Sequence, residues 1–382
     1  MAQRIQNAGL MKLKLIGLLL CFFTAFNVMA EGENAEVAAK KFDAGKTIVE
    51  HISDSHEWHI LGEEPHAIAV PLPVIVYNKE RGLSVFMSSR FEHGEKAYAG
   101  YVIRENHIEA VNETEEIPAA QATVNEELTA ATYDLSITKN VFALLVSIVI
   151  MLWMFMSVAK SYTRRQGQAP KGMQSLIEPL VIFVRDEIAK PSIGKKYERY
   201  MPYLLTVFFF IWINNLLGLI PIIPGGANVT GNIAVTMTLA VITFLITTFS
   251  ANKNYWQHVF AMPGVPVGVL VLLTPIEILG VILRPFVLMI RLFANITAGH
   301  IIALSFFSLI FIFGEMSTGL GFGVSVLSVG FVVFMSMLEL LVAFLQAFVF
   351  TLLSAIYFGA AVEEHHHDHE HGDAHVEEAL II

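Results

Sequence analysis

The chain has 382 residues, of which 55% are hydrophobic and only 15% charged, with a mean hydropathy of +0.60 and a net charge of −10. Ordinary soluble domains carry about 25% charged residues, so a water-soluble globular body is excluded for most of this chain. A single cysteine, Cys21, excludes a disulfide framework and a cysteine-built zinc site.

In chain order, residues 1–30 have the pattern of a secretory signal peptide. Lys12 and Lys14 precede an apolar run from Leu15 to Phe26, and Val28-Met29-Ala30 leads into acidic "EGENAE". Residues 31–134 are polar and are expected outside the membrane. Their centre, "HAIAVPLPVIVYNKERGLSVFMSS", alternates like short strands about a turn at Asn78–Gly82, so a small β-containing domain is expected there. His51, His56, His59 and His66 have irregular spacing and no cysteine neighbours, so solvated surface histidines explain them better than a metal site. "AGKT" at 44–47 copies the end of a phosphate loop, but Lys40 stands where the leading glycine is required.

Residues 135–362 carry the apolar excess. Val141–Ala159 is a charge-free span, and Lys160, Arg164, Arg165 and Lys171 place its far end in the cytoplasm. "MQSLIEPLVIFVRDEIAK" mixes apolar and charged residues at helical spacing and is expected to lie along the cytoplasmic surface. Tyr203–Ile223 then crosses outward, "PIIPGGANVTGN" turns, and Ile233–Phe249 returns. Two further segments, Thr274–Phe313 and Phe322–Val362, are each about 40 residues, hence about 60 Å as helix against a hydrocarbon layer of about 30 Å. Joined by Gly-rich "GEMSTGLGFG", they are expected to form an antiparallel hairpin leaning about 60° from the membrane normal, far above the average of about 20°. Pro285 can kink the first of them. The expected fold is therefore an all-α polytopic membrane protein: three ordinary spans, one surface amphipathic helix and two long tilted helices, preceded by the β-containing region. Residues 363–382, "EEHHHDHEHGDAHVEEALII" from Glu363 on, read as a solvated cytoplasmic tail.

Between Asn254 and Val362 the only acidic or basic residues are Glu277, Arg284, Arg291, Glu315 and Glu339. Arg291 falls near the bilayer centre, where a guanidinium that never loses its proton is costly. Glu277, Arg284 and Arg291, spaced by seven, form one stripe. In an antiparallel hairpin, residues at one level have a nearly constant sum of residue numbers. That places Gln346 level with Arg291, and Glu339 level with His300, an imidazole–carboxylate pair able to exchange protons. Nine residues turn an ideal helix by about 180°, so Arg291 and His300 face opposite ways. Either the helix bends near Gly299, or Glu339 reaches His300 through water. Polar helix glue is the plainer alternative, yet amides and hydroxyls suffice for that.

"LMIRLFANITAGHII" followed by "LELLVAFLQAFVFTLLSAIYFGAA", with "NNLLGLIPIIPGGANVTGNIAVT" before them, resembles the a subunits of F-type ATP synthases over residues 135–362. The resemblance implies a non-catalytic, cofactor-free subunit of a bacterial inner membrane, a stator that conducts protons beside a ring of c subunits and assembles with b subunits. It implies that Arg291 faces the ring, with Asn295 and Gln346 as polar companions and Glu277 at the cytoplasmic side. His300 and Glu339 match a pair that many bacterial members carry in the reverse order. Relatives' acidic residues in the outer loop are replaced here by Asn228 and Asn232. A secondary ion or metal transporter is the main rival, but the internal repeat it would usually show is not visible. Nucleic-acid binding finds no support.

Overall fold

A computed structural model of the chain describes residues 42–61, 68–220 and 225–363. The expected signal peptide and the tail beyond Glu363 lie outside the described residues, as do the side chains of His59 and His66.

The polar region begins with helix α1 (Ala44–Ile52) and continues as short strands. Strands β1 (Glu57–Leu61) and β2 (Ile68–Pro71) pair antiparallel. Strand β3 (Pro73–Asn78) is central, between β4 (Gly82–Met87) and a later strand, Thr132–Asp134. The β3–β4 connection is the turn anticipated around Asn78. The Asn78 carboxamide oxygen accepts from the Glu80 and Arg81 amides at 2.8 and 3.2 Å, and Gly82 has φ +76°. Alternate β3 residues Val74 and Val76 point into a small core with Phe91, Tyr101 and Ile108. The period-two alternation in the sequence produces that one-sided burial.

Helix α2 (Glu126–Ala130) leads to the apolar helices. Helix α3 (Lys139–Arg164) is capped by the Thr138 hydroxyl, which accepts from the Val141 amide at 3.4 Å. Helix α4 (Met173–Phe183) passes through a π-helical stretch, Val184–Ala189, into α5 (Lys190–Ile193) and then α6 (Tyr197–Gly218). Ile177, Val184, Ile188 and Ile193 of this run are buried among the protein's own helices, while Leu176 and Ile182 stay exposed. Its apolar stripe therefore serves mainly as internal packing. Helix α7 (Ile233–Ser250) begins at Asn232, whose side chain caps the Ala234 amide at 2.9 Å, and a short helix α8 (Lys253–Phe260) follows.

The long hairpin consists of α9 (Val267–Met316, 50 residues) and α10 (Thr318–Val362, 45 residues). Helix α9 runs on through both Pro275 and Pro285. The expected Gly-rich loop is corrected: the break is the single extended residue Ser317, with φ −165° and ψ 134°. Its glycines serve close packing instead. A Cβ on Gly321 would lie 2.8 Å from the Gly314 Cα, so their absence of side chains lets the two backbones touch beside the elbow. Phe306 and Phe331 stack across the pair at 4.9 Å, and Gly359 at the far end of α10 packs on the Ser192 carbonyl. The main core, around Leu204, Phe208, Ile211, Leu288, Leu292, Phe350 and Phe358, ties the hairpin to α6. Among the described residues, five helical stretches are long and apolar enough to cross a membrane.

Candidate functional site

Three polar levels follow one another along α9. At the first, the Arg284 Nη1 donates to the Tyr255 hydroxyl at 3.0 Å, and its guanidinium lies 5.4 Å from the Tyr357 ring centroid. Both aromatics stabilise the cation by a hydrogen bond and by ring quadrupoles. Thr243, Thr247 and Tyr357 line a small cavity with Arg284. Glu277 is half-buried two turns earlier on the same helix. Of the seven-residue stripe, then, Arg284 is already partnered.

At the second level, Arg291 is exposed, while Leu288 and Leu292 beside it are buried. No hydrogen bond or ion pair to Arg291 occurs among the described residues; its charge reaches the Tyr357 hydroxyl only electrostatically. Asn295, one turn on and so on the same side, donates from Nδ2 to the Gln346 Oε1 at 3.1 Å, and Gln346 is 4% exposed. Gln346, expected level with Arg291, has Asn295 as its hydrogen-bond partner.

At the third level, the His300 Nδ1 and Glu339 Oε1 are 4.0 Å apart, beyond a direct hydrogen bond. Their side chains are only 18% and 14% exposed, and Glu339 Oε1 has no hydrogen-bond partner. Gly299 makes the approach possible. A Cβ there would lie 2.6 Å from Glu339 Oε1, so the carboxylate rests over a position in α9 that has no side chain. The carboxylate thus approaches His300 across a glycine.

The loop residues 225–232 close on this third level. A Cβ on Gly218 would meet the Ala227 carbonyl at 3.4 Å and the His300 Nε2 at 3.8 Å, and the Thr297 hydroxyl donates to the Gly231 carbonyl at 3.4 Å. Asn215 donates to the Ala343 carbonyl at 3.2 Å and accepts from the Thr230 hydroxyl. Asn228 is 5% exposed with both side-chain polar atoms unpartnered, and the Asn214 Oδ1 is unpartnered too. Tyr255 escapes a reading of the sequence, because its role shows only where Arg284 folds against it. Of the histidines in the polar region, His56 is buried, with its Nε2 2.9 Å from the Asp134 Oδ2, and no group of three or more metal-binding side chains occurs among the described residues.

Comparison with known proteins gives a consistent result. The family described as ATP synthase A chain matches residues 141–359, and a domain of unknown function matches residues 47–135. The "ATP synthase subunit a 2" of Chlorobaculum tepidum is 45% identical over 260 residues, covering 64% of this chain and 71% of that protein. The "ATP synthase subunit a" of Chloroherpeton thalassium is 43% identical over 249 residues, 63% of this chain and 72% of the relative. That of Myxococcus xanthus is 41% identical over 252 residues, 64% and 78% respectively. Five span-length helices and a family match over more than half its length lead to one conclusion: the chain belongs to the ATP synthase A chain family, the a subunits of F-type ATP synthases.

Proposed function

We propose that this non-catalytic subunit is the stator side of a proton path, working against a rotating ring of c subunits and held with b subunits in the synthase. The carrying observation is Arg291: a permanent cation, on the outer face of a very long hairpin, that its own chain leaves unpaired among the described residues. Helices of 50 and 45 residues are about 75 and 68 Å long, so in a layer of about 30 Å they lean by 60° or more. Such a lean suits a curved wall like that of a ring.

On this reading, two half-channels meet at Arg291. A proton enters from outside past Asn214 and Asn228, whose unpartnered polar atoms suit a wetted path. It passes the His300–Glu339 pair and neutralises a carboxylate on the ring. After nearly a full turn, that carboxylate releases its proton toward Glu277 and the cytoplasm. Arg291 attracts the ionised ring carboxylate and blocks a direct hop, because a guanidinium does not give up its proton. Asn295 and Gln346 hold the surface next to it. The drive is about 2.3 kcal/mol per proton per 100 mV.

The layout follows. Residues 1–30 are a signal peptide, 31–134 an extracytoplasmic domain, 135–362 the channel in the inner membrane, and 363–382 a cytoplasmic tail. The test is Arg291→Ala in membranes carrying the whole complex. We expect proton leakage and no gradient-driven ATP synthesis; wild-type synthesis would sink the proposal.

A further inference from the structure

The domain formed by residues 44–134 is bolted onto the channel beside His300. Helix α1 lies against α9. Its last turn is capped by the first residue of α3: the Lys139 Nζ donates to the His51 carbonyl at 3.1 Å, placing a cation at the negative end of the α1 dipole. The reverse contact is equally specific. Asp54, just after α1, accepts from the Thr138 hydroxyl at 2.8 Å and from the Asn140 amide at 3.0 Å, placing an anion at the positive end of α3. Lys139 is 7% exposed, so this clamp is internal. Trp58 packs with Ala143, Ala227 and Val229, and Ala227 is the residue whose carbonyl adjoins Gly218 and the His300 ring.

The clamp fixes the turn that carries one further side chain, His51. His51 is exposed, yet both it and Lys139 lie within electrostatic reach of the half-buried His300 imidazole. An exposed imidazole is therefore coupled electrostatically to a half-buried one, whose Nδ1 lies 4.0 Å from the Glu339 carboxylate. Of the titratable groups, Lys139 and His300 lie within reach of His51, and Asp54 lies within reach of Lys139.

We propose that His51 is the outermost proton acceptor of the outer half-channel, and that the added domain forms the mouth of that channel. Its imidazole takes a proton from outside water on one nitrogen and releases one from the other toward His300. It returns neutral, and His300 passes the proton to Glu339 in the same way. Lys139 is a positioning residue that holds the turn carrying His51. This inference rests on the proton-path reading above.

The experiment uses proteoliposomes of the purified complex, with ATP synthesis driven by an imposed proton gradient and weak buffer on the outer face. His51→Ala should lower the rate several-fold, and free imidazole on that face should restore it, while wild type is indifferent to imidazole. His51→Gln, which also leaves the backbone carbonyl gripped by Lys139, should behave alike and serves if the alanine variant assembles poorly. Wild-type rates in weak buffer, or a loss that imidazole fails to restore, overturn the proposal. Arg291→Ala in the same preparation separates the two readings. If it stays coupled, the channel assignment fails; if it uncouples while both His51 variants match wild type, only the role of His51 fails.

Discussion

Gly299→Ala is the sharpest probe of the His300–Glu339 pair. The added carbon would sit 2.6 Å from Glu339 Oε1, 3.3 Å from Cγ and 3.4 Å from Cδ. Ordinary contact begins at 3.4 Å, so the carboxylate oxygen must retreat by the shortfall, about 0.8 Å. Because that oxygen ends a flexible side chain, the carboxylate swings while the backbone stays. Misplacing a reacting group by about 1 Å costs up to about 10²-fold, so a fall in proton flux of about tenfold is expected. Alanine also favours the helix by about 1 kcal/mol over glycine, which keeps α9 intact and separates a relay defect from misfolding. The assay is ATP-driven acidification of inverted vesicles, with co-purification of the other subunits as the assembly control. Adding Glu339→Asp, one methylene shorter, should recover part of the flux. Full flux in the single variant would refute the claim that the carboxylate must rest over Gly299.

Gln346→Leu strands the Asn295 amide and should destabilise the assembled complex by about 1 kcal/mol. Asn295→Leu added to it should cost less than the two changes apart, as read in thermal dissociation. Gly359→Ala places a methyl against the Ser192 carbonyl, a backbone atom that cannot swing aside. A loss of about 1–3 kcal/mol is expected, again from thermal dissociation, and an unchanged midpoint would contradict the packing. In the β-containing region, burial alone would raise the Asp134 carboxyl, but hydrogen bonds from His56 and Ser136 outweigh it and hold the group below its usual range. A depressed carboxylate stabilises the fold fully above its unfolded value of about 3.9, and that contribution disappears as pH falls through the folded value. Asp134→Asn should flatten this acid dependence, measured as protease susceptibility of residues 42–138 in the complex on acidification.

The membrane helices were legible because desolvation leaves so plain a mark: a charge-free run such as Tyr203–Phe249 offers water no polar face. Their ends were less so. Helix α3 starts at Lys139, which a count of uncharged residues discards, and it starts there because Thr138 caps it. The glycines at 314–323 suggest a loop by local propensity, whereas their use is helix contact, a property of two segments at once. Helix α8 went unforeseen, since its mixed residues lack an apolar run. In the candidate site, Arg291, His300 and Glu339 stood out as ionisable groups in an apolar setting. The Asn295–Gln346 pairing did not, because a constant residue sum presumes straight, parallel axes. Tyr255 and Lys139 matter only through what folds against them.

An elbow of one residue, Ser317, leaves the hairpin with no slack. His300 stands 17 positions before it and Glu339 22 after it. A deletion anywhere along those stretches would rotate everything beyond it by about 100° and slide it by about 1.5 Å, with no loop to absorb the change. Chain length between the two arms is thus a tuned quantity in this architecture. Insertions should be tolerated at the largely exposed residues 165–172 long before they are tolerated there.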